Sequence, residues 1–436
     1  MEIIYADNKR EFEFLAGMKK RAGEISLSAN EAVLKIIGEV REKGDAAVRS
    51  CSLQFDGAAP ERFEAAREEM KQAYDNMEGS LKKALLHAKE NIAAYHEKQA
   101  RQGYEIRKEK GVILGQTVRG LSRVGIYVPG GTAAYPSTVL MNAIPAKIAG
   151  VEEIIMVTPP IVEKKSCRAN PDILAAAYLA GVDRVFLTGG AQAVAALTFG
   201  TESFPAVDKI VGPGNIFVAT AKKLLFGQVD IDMIAGPSEI LILADETATP
   251  AYIAADLMSQ AEHDPMASAV LLTTCENTAR ETVKQIERQI AGLSRSEIIK
   301  KSLADFGAVI LCRDEEEMIR LANAIAPEHL ELMLADPMHC LPRIKNAGSV
   351  FCGEYAPEPL GDYLSGTNHV LPTSGTARFA SPLGVDSFLK KMSYTYYTKE
   401  ALAADREDIV AIAEKEGLGA HANSIRVRFE PGSPIT

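Results

Sequence analysis

Residues 253–265 read Ile-Ala-Ala-Asp-Leu-Met-Ser-Gln-Ala-Glu-His-Asp-Pro and bring an amide and an imidazole to one helix end. The apolar residues Ile253, Ala254, Leu257 and Met258 recur at helical spacing, and Pro265 closes the segment. Gln260 and His263 therefore project from one face and can supply two corners of a small divalent metal site. The residues alone leave open a simpler arrangement, in which His263 is satisfied by Asp264 or by solvent. Pro327-Glu328-His329 sets a carboxylate beside an imidazole at a rigid turn, a pair that could activate water and shuttle protons. Neighbours on a strand point to opposite faces, so one structural and one surface residue is the alternative there. Asp362 and His369 stand on an irregular stretch, Gly361-Asp-Tyr-Leu-Ser-Gly-Thr-Asn-His-Val-Leu-Pro372. Glu416 and His421 form another acid and imidazole near the C-terminus. Four nitrogen or oxygen ligands, Gln260, His263, Asp362 and His421, would suit zinc or a similar borderline metal without any thiolate.

The composition narrows what such groups could serve. With 436 residues the chain exceeds what one hydrophobic core usually fills, so more than one domain is expected. A net charge of -10 argues against nucleic acid or an anionic membrane as partner, since both demand a basic face. The N-terminal residues show no apolar core flanked by basic residues, and no apolar run is long enough to span a bilayer, so a cytoplasmic location is expected. The six cysteines form no Cys-x-x-Cys pair, which fits reduced thiols. Of the seven histidines, His87 and His96 fall in helical sequence and are assigned surface or core-edge roles.

The elements that must position these groups follow from periodicity. Residues 29–102 read as long helices with solvated charged faces. From Gly120 onward, short apolar runs alternate with helical runs: strands at 123–128, 153–157, 184–188 and 209–211 each lead through a turn into a helix. A second series begins after Ser238, with strands at 239–244, 269–273, 308–312, 330–334 and 348–351. Such alternation means buried parallel sheets with crossover helices, so the fold class is α/β, with two Rossmann-like parallel-sheet domains. Residues 353–384 carry little regular pattern, and a long irregular loop is usually functional. The tail reads as a helix at 399–416 and a short strand at 424–429.

Glycine turns after strands are where open parallel sheets take anionic ligands. Pro129-Gly-Gly131, Gly189-Gly190 and Gly212-Pro-Gly214-Asn215 are candidates, but Phe217 occupies the third glycine position of a dinucleotide fingerprint. A dinucleotide is permitted by this incomplete fingerprint, and ligand-free βα turns are equally compatible with it.

Seven longer motifs resemble the histidinol dehydrogenase family. They are Gly125-Ile-Tyr-Val-Pro-Gly-Gly131, Gly189-Gly-Ala-Gln-Ala193, Val211-Gly-Pro-Gly-Asn215, Ala235-Gly-Pro-Ser-Glu239, Ser259-Gln-Ala-Glu-His-Asp264, Ala326-Pro-Glu-His-Leu330 and Gly366-Thr-Asn-His-Val-Leu-Pro372. The resemblance covers roughly residues 103–428 and departs at Gly120-Leu121, where the family often has Pro-Leu. It implies metal ligands at Gln260, His263, Asp362 and His421, a water-activating carboxylate at Glu328 and a base at His329. Tyr127, Gln192 and Asn215 would contact the cofactor, while Ser238, His369 and Glu416 would join the ligands and His329 around the substrate. It further implies NAD, one zinc ion per subunit, and a homodimer whose C-terminal tail completes the partner's site. The expected division is an N-terminal arm at 1–28, a metal and catalytic domain at 29–122 with 239–380, an NAD-side domain at 123–238, and a dimerisation tail at 381–436.

The implied reaction is oxidation of L-histidinol to L-histidine through L-histidinal. No cysteine lies in these motifs, which disfavours a thiol-bound aldehyde and sets the chain apart from ordinary aldehyde dehydrogenases. A related zinc- and NAD-dependent enzyme acting on another small primary alcohol, such as a sulfonated diol, is the alternative. Glu416 beside His421 favours a cationic amine in the substrate, since a sulfonate would prefer arginine.

Overall fold

A computed structural model of the chain describes residues 1–130, 134–163 and 166–429, the side chains of 18–28 excepted; Gly131 of the first glycine turn lies outside them. The chain opens with β1 (Glu2–Tyr5), α1 (Arg10–Lys43), α2 (Asp45–Phe55), β2 (Glu64–Ala65), α3 (Arg67–Asp75) and α4 (Gly79–Glu97). After β3 (Tyr104–Lys108) and β4 (Val112–Gly120) comes the first alternating series: β5 (Arg123–Tyr127), α5 (Pro136–Ile148) and β6 (Glu153–Thr158). A small hairpin of β7 (Ile161–Glu163) and β8 (Ser166–Arg168) precedes α6 (Pro171–Ala180). The series closes with β9 (Arg184–Leu187), α7 (Gly190–Phe199), β10 (Lys209–Val211), α8 (Ile216–Leu225) and β11 (Asp230–Ile231). The second series is β12 (Glu239–Ala244), α9 (Pro250–Ala261), β13 (Ser268–Thr273), α10 (Glu276–Gln289), α11 (Ser296–Phe306), β14 (Gly307–Leu311), α12 (Glu315–Ile325) and β15 (His329–Met333). Then follow α13 (Pro337–Cys340), β16 (Ser349–Cys352), α14 (Glu358–Tyr363), β17 (Leu389–Tyr396), α15 (Lys399–Lys415) and α16 (Gly419–Arg426).

Two compact units result, one of residues 1–100 with 121–388 and one of 101–120 with 389–436. The first unit holds two six-stranded sheets, ordered β11-β10-β5-β6-β9-β2 and β1-β14-β13-β12-β15-β16. In the first sheet β10 lies on the opposite side of β5 from β6, and in the second β15 lies on the opposite side of β12 from β13. Each reversal leaves a crevice at the sheet edge, which is where open α/β sheets bind ligands. The strands read as continuous apolar runs because helices cover both faces: Ile154, Ile155, Met156 and Val157 are fully buried, as are Ile242, Leu243 and Ala244.

Local chemistry sets the helix starts. Asn170 accepts the Asp172 and Ile173 amides ahead of α6, Asn215 accepts those of Phe217 and Val218 ahead of α8, and Asp314 accepts that of Glu317 in α12. At the turn after β10, Gly212 has φ +106, and a Cβ there would stand 2.2 Å from the Tyr127 carbonyl oxygen. Only glycine lets this turn close onto the end of β5. The turn is then clamped from beneath: the buried Lys222 ammonium pairs with Asp232 and donates to the Gly212 carbonyl at 3.0 Å, while the Gly212 amide donates to Asp232 at 2.7 Å.

The N-terminal residues differ from expectation. β1, placed by sequence in a separate arm, pairs in parallel with β14, and α1 begins at Arg10 inside that arm. Four residues with a short apolar centre carry too little alternation to signal a strand. Helices expected beside the second series instead pack on the first: α1 and α2 lie on α7, α3 on α6, and α4 on α5. Their apolar stripes are complementary to whichever helix layer is free, and sequence periodicity does not say which.

In the second unit β17 pairs antiparallel with β4, from Leu389 against Gly120 to Tyr396 against Ile113, and β3 pairs with β4. This three-stranded sheet joins residues 101–120 to the tail, which pattern alone had kept apart. Residues 424–429, expected as a strand, continue α16 to Arg426 and end in a turn. Among the described residues no helix is long and apolar enough to cross a membrane.

Candidate active site

A cavity of about 1160 Å³ opens between the two sheets of the first unit. On one side it is lined by residues 212–216, at the carboxyl edge of the first sheet. On the other it is lined by Ser238, His263 and Glu328, which precede β12, β13 and β15 at the amino edge of the second. The site thus uses the usual edge of one sheet and the opposite edge of the other.

β15 starts from a strained turn. Ala326 is fully buried at φ +53, a left-handed conformation costing a residue with a Cβ roughly 1–2 kcal/mol, and Pro327 follows it. Gly348 packs so closely that a Cβ on it would meet the Glu328 carbonyl oxygen at 2.5 Å. Glu328 and His329 are held here with little freedom. The His329 ring is 4% exposed, and its Nδ1 lies 3.1 Å from the Glu239 carbonyl oxygen. That contact makes Nδ1 the protonated nitrogen and leaves Nε2 as a lone pair, which has no hydrogen-bond partner. Burial disfavours the imidazolium and lowers the His329 pKa to about 4. The ring is a neutral base ready to accept a proton at Nε2.

Glu328 accepts the Glu239 amide at 2.9 Å through Oε2, which also lies 3.6 Å from His329 Nδ1. Burial pushes its carboxyl well above the ordinary range, against the smaller opposing effect of that amide. When ionised in this setting it is a stronger base than an exposed glutamate. Glu328 lies just before β15, so the alternation of strand neighbours does not part the two: both side chains meet the backbone of Glu239.

His263, just beyond α9, meets Asp362 and Glu358 of α14: one ligand atom from each lies within 4.8 Å of the others. Gln260, in the last turn of α9, is fully buried, and neither atom of its side-chain amide has a hydrogen-bond partner. Orphaned buried amides are costly unless a ligand satisfies them. Glu358 is 1% exposed, its Oε1 also lacks a partner, and it stands 3.9 Å from His329 Nε2. Burial, and then the Asp362 carboxyl alongside, push Glu358 up to about 10. Such a set of donors could hold a cation. Imidazole nitrogen, carboxylate oxygen and amide oxygen without thiolate suit zinc.

His369 braces this group. Its Nδ1 lies 3.0 Å from the Asp362 carbonyl and its Nε2 3.2 Å from the Thr138 hydroxyl, so Nδ1 donates and Nε2 accepts. Ser238 and His369 both line the cavity. Among the cofactor candidates, Asn215 lines it as well, although its side-chain oxygen caps α8. Tyr127 and Gln192 come together elsewhere on the carboxyl edge, at the Gly189-Gly190 turn. The Gly190 amide donates to the Tyr127 hydroxyl at 3.0 Å, and a Cβ on Gly190 would meet Gln192 Oε1 at 2.6 Å. Burial raises the Tyr127 phenol to about 12, so it keeps a proton to donate. Glu416 and His421 are exposed residues of the second unit. His96, expected at the surface or the edge of the core, is instead fully buried, with Nδ1 at 2.8 Å from the Ile92 carbonyl.

Glu358 escaped the sequence reading. Pro357-Glu358-Pro359 is a helix-start signal, and the spacing of Glu358 to Asp362 puts both carboxyls on one helical face. That spacing could have found it.

Residues 19–429 match the histidinol dehydrogenase family. Histidinol dehydrogenases of Clostridium acetobutylicum and Bacillus cereus are 55% and 52% identical to this chain. The alignments cover 96% of both chains for the first and 99% of both for the second. A crystal structure of histidinol dehydrogenase from Elizabethkingia anophelis superposes with a TM-score of 0.86 at 39% identity, covering 92% of each chain.

Proposed function

Since the chain belongs to the histidinol dehydrogenase family, we propose that the cavity between its two sheets oxidises L-histidinol to L-histidine with NAD, using Glu328 and His329 as its working bases. The chain is an oxidoreductase, and its relatives at 52–55% identity favour histidinol over a sulfonated diol. One observation carries the site assignment. His329 Nε2, Glu358 Oε1 3.9 Å from it, and the Gln260 amide are buried polar atoms without partners, and Glu358 clusters with Asp362 and with His263, which lines the cavity.

The same orphaned atoms support a metal. Gln260, His263 and Asp362 would hold a zinc ion, with His421 as the fourth protein ligand. When bound, NAD supplies the hydride acceptor, and zinc supplies a fixed point for the imidazole and amine of the substrate. The chain's own residues do the rest. His329 Nε2 takes the alcohol proton as the first oxidation begins. Glu328, facing the cavity, takes a proton from the water that adds to the aldehyde. Ser238 and His369 border the substrate, the latter by fixing the Asp362 backbone. Asn215 at the turn after β10, and Tyr127 and Gln192 at the Gly189-Gly190 turn, are the cofactor contacts of this reading, in what we take as the NAD-side domain.

Glu416 and His421 belong, in this proposal, to the site of a partner chain, so the enzyme is a homodimer with shared sites. Complementation tests that. His329→Asn and His421→Asn proteins, each inactive, are mixed under conditions that exchange subunits. A mixed dimer gathers both lesions in one site and leaves the other intact, so activity should return to about a quarter of the unmodified level with random pairing. If the mixture stays inactive although mixed dimers form, the sites are not shared. The activity itself is tested by following NADH on adding L-histidinol and, separately, a sulfonated diol. Reduction with histidinol alone is expected; reduction with the diol alone would overturn the substrate.

A further inference from the structure

Three elements deliver the side chains of the metal wall and the base: β15 with His329, the end of α9 with Gln260 and His263, and α14 with Glu358 and Asp362. They meet at Glu331. This residue lies two positions beyond His329 on β15, hence on the same face of the strand, and is 1% exposed. Its Oε1 accepts the amide of Glu358 at 2.8 Å. Glu358 is the first residue of α14, and its amide is one of those the helix cannot satisfy internally. Asp256, a buried residue of α9 four positions before Gln260, stands near enough that its charge, after burial, raises the Glu331 carboxyl. Ser259 of α9 adds a weaker tie, its hydroxyl lying 3.4 Å from Glu358 Oε2.

We infer that Glu331 is a positioning residue that fastens the start of α14 to β15, with Ser259 tying it to α9, and so sets the spacing of Asp362 from His263 and Gln260. The inference rests on the reading of those three residues as metal ligands. Glu331 lies behind Glu358 and is itself 1% exposed. Its carboxyl is chemically apt because one oxygen must accept from the Glu358 amide. A glutamine keeps that acceptor; a leucine does not.

The test measures zinc affinity of the folded protein by competition with a chromophoric chelator, together with KM for L-histidinol and for NAD. Glu331→Leu should bind zinc about 10- to 100-fold more weakly, the usual loss when support behind a ligand is removed. Its KM for histidinol should rise while that for NAD holds, a split that general destabilisation would not produce. Glu331→Gln should restore zinc affinity close to that of the unmodified protein. Should Glu331→Leu fail to fold, Glu331→Met, which keeps the length of the side chain without its oxygen, gives the same comparison with Glu331→Gln. The inference is overturned if Glu331→Leu, or Glu331→Met in its place, binds zinc as the unmodified protein does, or if Glu331→Gln is as impaired as that variant. Asp362→Ala is the control for the underlying reading. If it too keeps full zinc affinity, the metal site fails and this inference with it; if it alone loses zinc, only the positioning role fails.

Discussion

His329→Asn is expected to lower the rate of the first oxidation by about 100- to 10,000-fold, the usual contribution of a positioned general base. The asparagine amide keeps a donor near the Glu239 carbonyl, so the fold at the head of β15 should survive while the lone pair at Nε2 is lost. The pH profile of the unmodified protein adds a second check. Because burial lowers the His329 pKa to about 4 from its ordinary 6.5, the base form persists on acidification, and the acidic limb of the first step should fall near the lower value. The sign follows from the neutral imidazole being the active form: protonation removes the base, and burial delays protonation. Transient absorbance of NADH in a single turnover measures both. An acidic limb near the ordinary histidine value, or a variant with unimpaired first oxidation, would remove His329 from its role.

Glu328→Gln should separate the two oxidations. The amide has nearly the shape of the carboxyl and can still accept the Glu239 amide, but it cannot take a proton from water. The first hydride transfer should persist, and oxidation of the aldehyde should fall by about 100- to 10,000-fold. In the unmodified protein the second step should also gain with pH above the ordinary carboxylate range, since burial keeps Glu328 protonated there and only the ionised form is a base. The first step, relying on His329, should not share that rise. Equal slowing of both steps in single-turnover kinetics would show that Glu328 is not the base for water.

The alternating runs from 123 to 351 were legible because strands buried on both faces must be apolar throughout, and the structure has them within a residue or two. Glu328 and His329 were legible for a different reason: titratable groups are conspicuous in so apolar a stretch. What stayed hidden depends on tertiary contact. Nothing in residues 29–97 says which helix layer they cover, and β3 and β4 are recognisable as a sheet only once β17 pairs with them. Asp256 looks like an ordinary surface carboxylate, since a carboxylate is usually solvated. Glu331 stands in the same apolar stretch as His329 and Glu358 shares a helical face with Asp362, but the burial of all three comes from the meeting of α9, α14 and β15. The position of the site was also not to be read from glycine turns alone, because the second sheet presents its amino edge.

The central claim is that this one cavity carries histidinol through both oxidations with a bound metal fixing the substrate. The most direct measurement is the amount of NADH formed per L-histidinol consumed, with the products identified, for zinc-loaded protein and for the same protein after chelation. The account predicts two NADH and one L-histidine from the zinc-loaded protein, no free aldehyde, and a chelated protein that remains folded but inactive. One NADH with release of the aldehyde, or full turnover by protein shown to be free of metal, would contradict it.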